Sequence, residues 1–111
     1  QAGYLKKLIE SRPYLNRVPD TTIIAEGQGG RKHYIAAFRD SANKYMMIYI
    51  PTAVTFKVNT SLIKSKKLVT TWFDPRTGSY TKPVRIKNTQ QVAFSTPKTS
   101  DEDWVLIIDR N

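Results

Sequence analysis

Between residues 21 and 109 short runs of β-branched and aromatic residues give way, roughly every ten residues, to clusters of turn formers, with no helical spacing between them. This recurrence restricts the fold sharply. A parallel sheet needs a crossover, usually a helix, between consecutive strands, whereas antiparallel strands are joined by short turns alone. The runs are TTIIA (21–25), HYIAAFR (33–39), KYMMIYI (44–50), VTFKV (54–58), KLVTTWF (67–73), YTKPVRI (80–86), VAFS (92–95) and DWVLIID (103–109). In 54–58, Val54, Phe56 and Val58 alternate with Thr55 and Lys57, so one face is apolar and the other polar. Asp40-Ser41-Ala42-Asn43 has the length and composition of a hairpin turn between two of the runs. Pro83 lacks an N–H for a sheet ladder, which predicts an edge position or a bulge. The reading is an all-β protein, an antiparallel β-sandwich of about eight strands.

A different period precedes the strands. Tyr4, Leu5, Leu8 and Ile9 recur at helical spacing within GYLKKLIES (3–11), which predicts a short amphipathic helix. Arg12-Pro13 ends it and Pro19-Asp20 enforces an extended path, so residues 12–21 read as a connector. With 111 residues, 40% of them hydrophobic, the chain holds one modest core. A start at Gln1, inside what reads as the end of a helix, is expected of a piece of something longer. No apolar run approaches the roughly 18 to 20 residues of a membrane helix, so no membrane partner is expected.

Several chemistries lack their residues. Without cysteine there are no disulfides, thiol nucleophiles or zinc–thiolate sites. His33 is the one histidine, too few for a zinc triad, and no Ser-His-Asp arrangement is expected around it. A glycosidase needs two carboxylates about 5 to 10 Å apart. Glu10, Glu26 and the run Asp101-Glu102-Asp103 are placed on separate elements and suggest no such pair. The acidic run reads as a solvated turn, since calcium would need further oxygen ligands. Gly27-Gln28-Gly29-Gly30 precedes a strand and lacks the Lys-Ser/Thr ending of a phosphate loop. No catalytic residue, metal or cofactor is expected.

The formal charge of +9 favours anionic partners. Basic residues are spread along the chain, with local density at Lys64-Ser65-Lys66-Lys67 and at Lys82, Arg85 and Lys87. Nucleic acid is not expected. An anionic polymer at these two stretches is the alternative to a merely solvated surface.

The segment WFDPRTGSY (72–80) joins two runs. Asp74 can accept turn N–H groups, Pro75 presets its φ, and Gly78 tolerates the left-handed conformation that returns the chain to a strand. Adjacent Trp72 and Phe73 must point to opposite faces, so one of them leaves the sandwich interior. Trp72, Arg76 and Tyr80 are the candidate ligand contacts, the rings because they could stack on a sugar.

The order RVPD (17–20), Gly27, Gly29 and Gly30, IAAFR (35–39), YIPT (49–52), WFDPRTG (72–78) and DWVLIID (103–109) resembles the family named "putative collagen-binding domain". That family lies at the C-terminus of bacterial glycoside-hydrolase-like proteins with an apiosidase-like (β/α)8 barrel. The likeness covers nearly the whole chain and departs at Phe38, where a small polar residue is expected. It implies a non-catalytic β-sandwich over residues 21–111, with residues 1–20 as helix and linker from an upstream barrel. Tyr4, Leu8, Tyr14 and Arg17 would then face that barrel. It further implies an extracellular or periplasmic setting and a domain that braces the barrel and contacts polysaccharide, the alternative being an adhesive module that binds collagen or another extracellular-matrix or anionic polymer.

Overall fold

A computed structural model describes residues 17–27, 35–52, 54–97 and 103–110. The expected helix with Tyr4 and Leu8 lies outside these residues, as do Tyr14, His33 and Asp101-Glu102. The described residues form ten strands: β1 (Arg17–Pro19), β2 (Ile24–Glu26), β3 (Ala36–Asp40), β4 (Tyr45–Ile50), β5 (Thr55–Asn59), β6 (Lys67–Asp74), β7 (Ser79–Tyr80), β8 (Val84–Lys87), β9 (Gln91–Ser95) and β10 (Trp104–Arg110). One sheet runs β1-β3-β4-β10-β6-β7, with β8 also paired to β6; the other runs β2-β5-β9. Every pairing is antiparallel. The expected sandwich is the observed architecture.

Strand placement follows apolar patterning. β4 and β10 are nearly continuous apolar runs and occupy the middle of the large sheet, where both faces are covered. Leu106 lies opposite Ile48 and Ile107 opposite Met47. Met46, Ile48, Leu106 and Ile108 point inward and pack with Ile24, Phe56 and Val58 from the small sheet. Each fully buried side chain of this kind stabilises the fold by about 1.5–3 kcal/mol. β5 alternates as its sequence predicts, Phe56 and Val58 buried and Thr55 and Lys57 exposed.

The outer face of the large sheet carries a second apolar cluster. Tyr45, Met47, Phe73, Val105 and Ile107 are buried there, with Tyr49 packed against them. Among the described residues, its members come from the large sheet alone.

Two local features differ from the simple strand reading. The run 80–86 divides into β7 and β8, both on the edge of β6, with Pro83 in the gap where no ladder donor is needed. Residues 17–19 of the expected connector form edge strand β1 against β3. The chain then turns through a 3-10 segment, Thr21–Ile23, capped by Asp20, whose carboxylate accepts from the Thr22 N–H at 2.9 Å and from Arg39 Nε at 2.7 Å. Thr22, through its hydroxyl and N–H, and Arg39 hold the Asp20 carboxyl below the usual carboxylate range.

Candidate functional site

The segment 72–80 begins in β6 and ends in β7, and a turn at Asp74 fixes its shape. The Asp74 carbonyl accepts from the N–H of Thr77 at 3.3 Å and of Gly78 at 2.8 Å. Its carboxylate accepts from the N–H and Nε of Arg76, each at 2.9 Å, and from Nη2 at 3.1 Å. Such a two-pronged contact fixes the guanidinium plane more firmly than a single bond would. Gly78 has φ +74°, the left-handed region its position in the turn implies. The turn is therefore built by its own residues.

Trp72 and Phe73 do point to opposite faces. Trp72 is half-buried on the inner side, edge-on to Phe56 at 6.4 Å and to Trp104 at 6.3 Å. Phe73 leaves the sandwich interior yet is only 2% exposed, packed within the outer cluster. Tyr80 lies opposite Phe73 in the register, its ring centroid 4.9 Å from that of Phe73, and is 51% exposed. The guanidinium of Arg76 lies over Trp104, 5.6 Å from the ring centroid. Arg76 thus links the turn to the start of β10, and its stem and charge both contribute to that contact.

Of the three candidate ligand contacts, Tyr80 offers the open ring. Arg76 already has a carboxylate and an indole as neighbours, and Trp72 belongs mainly to the interior. Arg17 carries its guanidinium over the ring of Tyr45, 5.5 Å from the centroid, and its Nε donates to the Tyr45 hydroxyl at 3.1 Å. Phe38 is half-buried and lines a hollow with Pro19, Thr21 and Ile35 at the β1–β3 edge, away from the aromatic turn.

Five of the described carboxylates serve the fold. Asp20 pairs with Arg39, Glu26 with Lys57 and Asp74 with Arg76. Asp103 accepts from the Tyr49 hydroxyl at 3.3 Å, and burial together with that carboxylate pushes the Tyr49 phenol above its ordinary range. Asp40 closes the β3–β4 turn, its carbonyl accepting from the Asn43 N–H at 2.7 Å. No group of three or more potential metal ligands occurs among the described residues. The buried Trp104 Nε1 has no hydrogen-bond partner among the described residues.

Sequence reasoning overlooked Asn88. Its Nδ2 donates to the carbonyls of Thr60 at 3.0 Å and of Ile63 and Ser65 at 2.9 Å, and its Oδ1 accepts from Thr60 Oγ1 at 2.7 Å. The only hint was an Asn directly after a strand, a common turn position.

Comparison with known proteins adds four findings. The family model described as "Putative collagen-binding domain of a collagenase" matches residues 18–109. A solved structure titled "Glycoside hydrolase" superposes at TM-score 0.87 and 29% identity, covering 97% of this chain and 24% of that one. A glycoside hydrolase family 5 structure from Bacteroides vulgatus ATCC 8482 superposes at TM-score 0.87 and 25% identity, covering 97% of this chain and 23% of that one. No curated protein matches. The chain thus spans about a quarter of the length of the solved structures it resembles.

Proposed function

The chain belongs to the family described as the putative collagen-binding domain of a collagenase, and we propose that it is the non-catalytic, C-terminal accessory domain of a bacterial glycoside-hydrolase-like polypeptide, bracing an upstream catalytic barrel. The observation that carries this reading is the pair of coverages. Nearly all of this chain superposes on about a quarter of each of two hydrolases, as expected of one domain recurring in larger enzymes. The described carboxylates support it too, because Asp20, Glu26 and Asp74 are tied in ion pairs to neighbouring cations. A general acid needs a raised pKa and an open approach to substrate.

In this reading residues 1–20 lead from the barrel, Tyr4, Leu8, Tyr14 and Arg17 form its contacts, and residues 21–111 are the accessory sandwich. Tyr80 is the platform for a neutral sugar ring, with Trp72 and Arg76 shaping the turn behind it. An extracellular or periplasmic setting follows from polysaccharide as the substrate class. Collagen enters through the family's name alone.

The test compares glycoside cleavage by the 111-residue chain with cleavage by the parent polypeptide. The chain is expected to show none on any substrate the parent cleaves. Cleavage by the chain, abolished by one Asp or Glu substitution, would overturn the reading.

A further inference from the structure

The edge formed by β6 and β8 gathers the two basic stretches, which lie fifteen or more residues apart in sequence. Lys67 and Lys87 are directly opposite one another in the register, and Arg85 faces Val69 two positions along on the same outer face. Like charges in opposed positions destabilise a sheet. Lys64 and Lys66 precede Lys67 in the loop before β6, Lys82 lies just before the far end of β8, and all six cations are exposed. None has a carboxylate partner among the described residues, in contrast to Arg39, Lys57 and Arg76. In register, the carboxylate next along this face is Asp109, one strand further in beyond Val69.

The loop that presents the lysines is held in place. Asn88, directly after Lys87, binds the carbonyls of Ile63 and Ser65, and its N–H donates to the Lys66 carbonyl at 2.9 Å. Ser65 Oγ donates to the Lys67 carbonyl at 2.7 Å. The backbone carrying Lys64, Lys66 and Lys67 is thus fixed relative to β8, which lowers the ordering cost of binding.

We propose that this edge is a binding site for an anionic polysaccharide, one bearing sulfate or carboxylate groups at regular spacing. The choice of polymer rests on the accessory-domain reading, and the charge arrangement does not depend on it. Residues 63–67 and 82–87 contain no aromatic ring, so the base stacking that single-stranded nucleic acid uses has no platform here. Neutral sugars would find no ring either, which separates this edge from Tyr80. Lysine-rich edges also discourage edge-to-edge pairing of sheets, but that role needs neither the Lys67–Lys87 opposition nor a fixed loop.

The test measures binding of the 111-residue chain to a sulfated polysaccharide of the heparin type, to polygalacturonate, to neutral dextran and to duplex DNA, across a salt series. Lys67→Ala/Lys87→Ala is compared with Lys44→Ala/Lys57→Ala, which removes equal charge elsewhere. The expected result is binding to the sulfated or carboxylated polymer, weakening steeply with salt, with little response to dextran. The edge variant is expected to lose about tenfold in affinity, at up to fivefold per charge, while the control keeps most of it. Its melting temperature is expected to hold or rise, since an opposed like-charge pair has been removed. No binding at low salt, equal loss in both variants, or preference for duplex DNA would each overturn the proposal. Those failures leave the accessory-domain reading intact, because that reading falls with glycoside cleavage by the chain or with the melting of the parent polypeptide, neither of which a binding assay reads.

Discussion

Replacing Asn88 by alanine removes the side chain that binds three backbone carbonyls between residues 60 and 65. Its two amide hydrogens serve the carbonyls of Thr60, Ile63 and Ser65, so one hydrogen is shared, and its Oδ1 accepts from the Thr60 hydroxyl. Thr60 is fully buried, and water does not readily replace the lost partner of its hydroxyl. Ser65 is half-buried, and its carbonyl can be resolvated at smaller cost. Net loss of about 1 kcal/mol per satisfied bond, and of 1–3 for a buried group left unpaired, gives a destabilisation of about 2–4 kcal/mol. In a domain of this size that lowers the melting temperature by roughly 10–25 °C. Urea or thermal unfolding followed by tryptophan fluorescence measures it, with Thr60→Val as the partner in a double-mutant cycle. The two substitutions share one bond, so their effects are expected to sum to more than the double variant shows. A melting temperature within about 2 °C of the parent chain would refute the reasoning, because it would mean that the loop holds its shape without Asn88.

Gly78→Ala is expected to destabilise by about 1 kcal/mol or more, since φ +74° strains any residue with a Cβ, and denaturant unfolding measures this. Trp72→Ala is expected to cost about 2–4 kcal/mol through lost packing on Phe56 and Trp104, and Tyr80→Ala within about 1 kcal/mol, so paired melts rank the two. Asp20 has a lowered folded pKa, so its stabilisation is present above the unfolded value and is lost as pH falls below about 4. Asp20→Asn should therefore flatten the acid limb of a stability profile. Tyr49 has a raised folded pKa, so its contribution is complete below about 10 and fades above it; Tyr49→Phe should flatten the alkaline limb.

The sheets were legible where a pattern is local. VTFKV alternates and became half-buried β5, while YMMIYI and WVLII are continuous and became the central strands covered on both faces. Pro83 correctly marked an interruption at the edge of the sheet. The turn after Asp74 was readable because each bond in it spans four residues or fewer. The outer cluster around Ile107 was not read, since an outward-facing apolar residue looks the same in sequence whether covered or open. Asn88 escaped for a related reason: its partners lie 23 to 28 residues away. The opposition of Lys67 and Lys87 depends on register, which only folding of β8 onto β6 sets. In the candidate site, the chemistry of Trp72, Arg76 and Tyr80 could be named from sequence, but their unequal exposure could not.

The claim that this sandwich braces a catalytic barrel is tested most directly by the thermal unfolding of the barrel in the parent polypeptide, with and without residues 21–111. Interfaces between domains of one chain bury about 600–1,500 Å², enough to couple their stabilities. The account predicts that removing the sandwich lowers the barrel's melting temperature by several degrees, and that adding back the separate domain does not fully restore it. A barrel that melts at the same temperature in both forms would contradict the account.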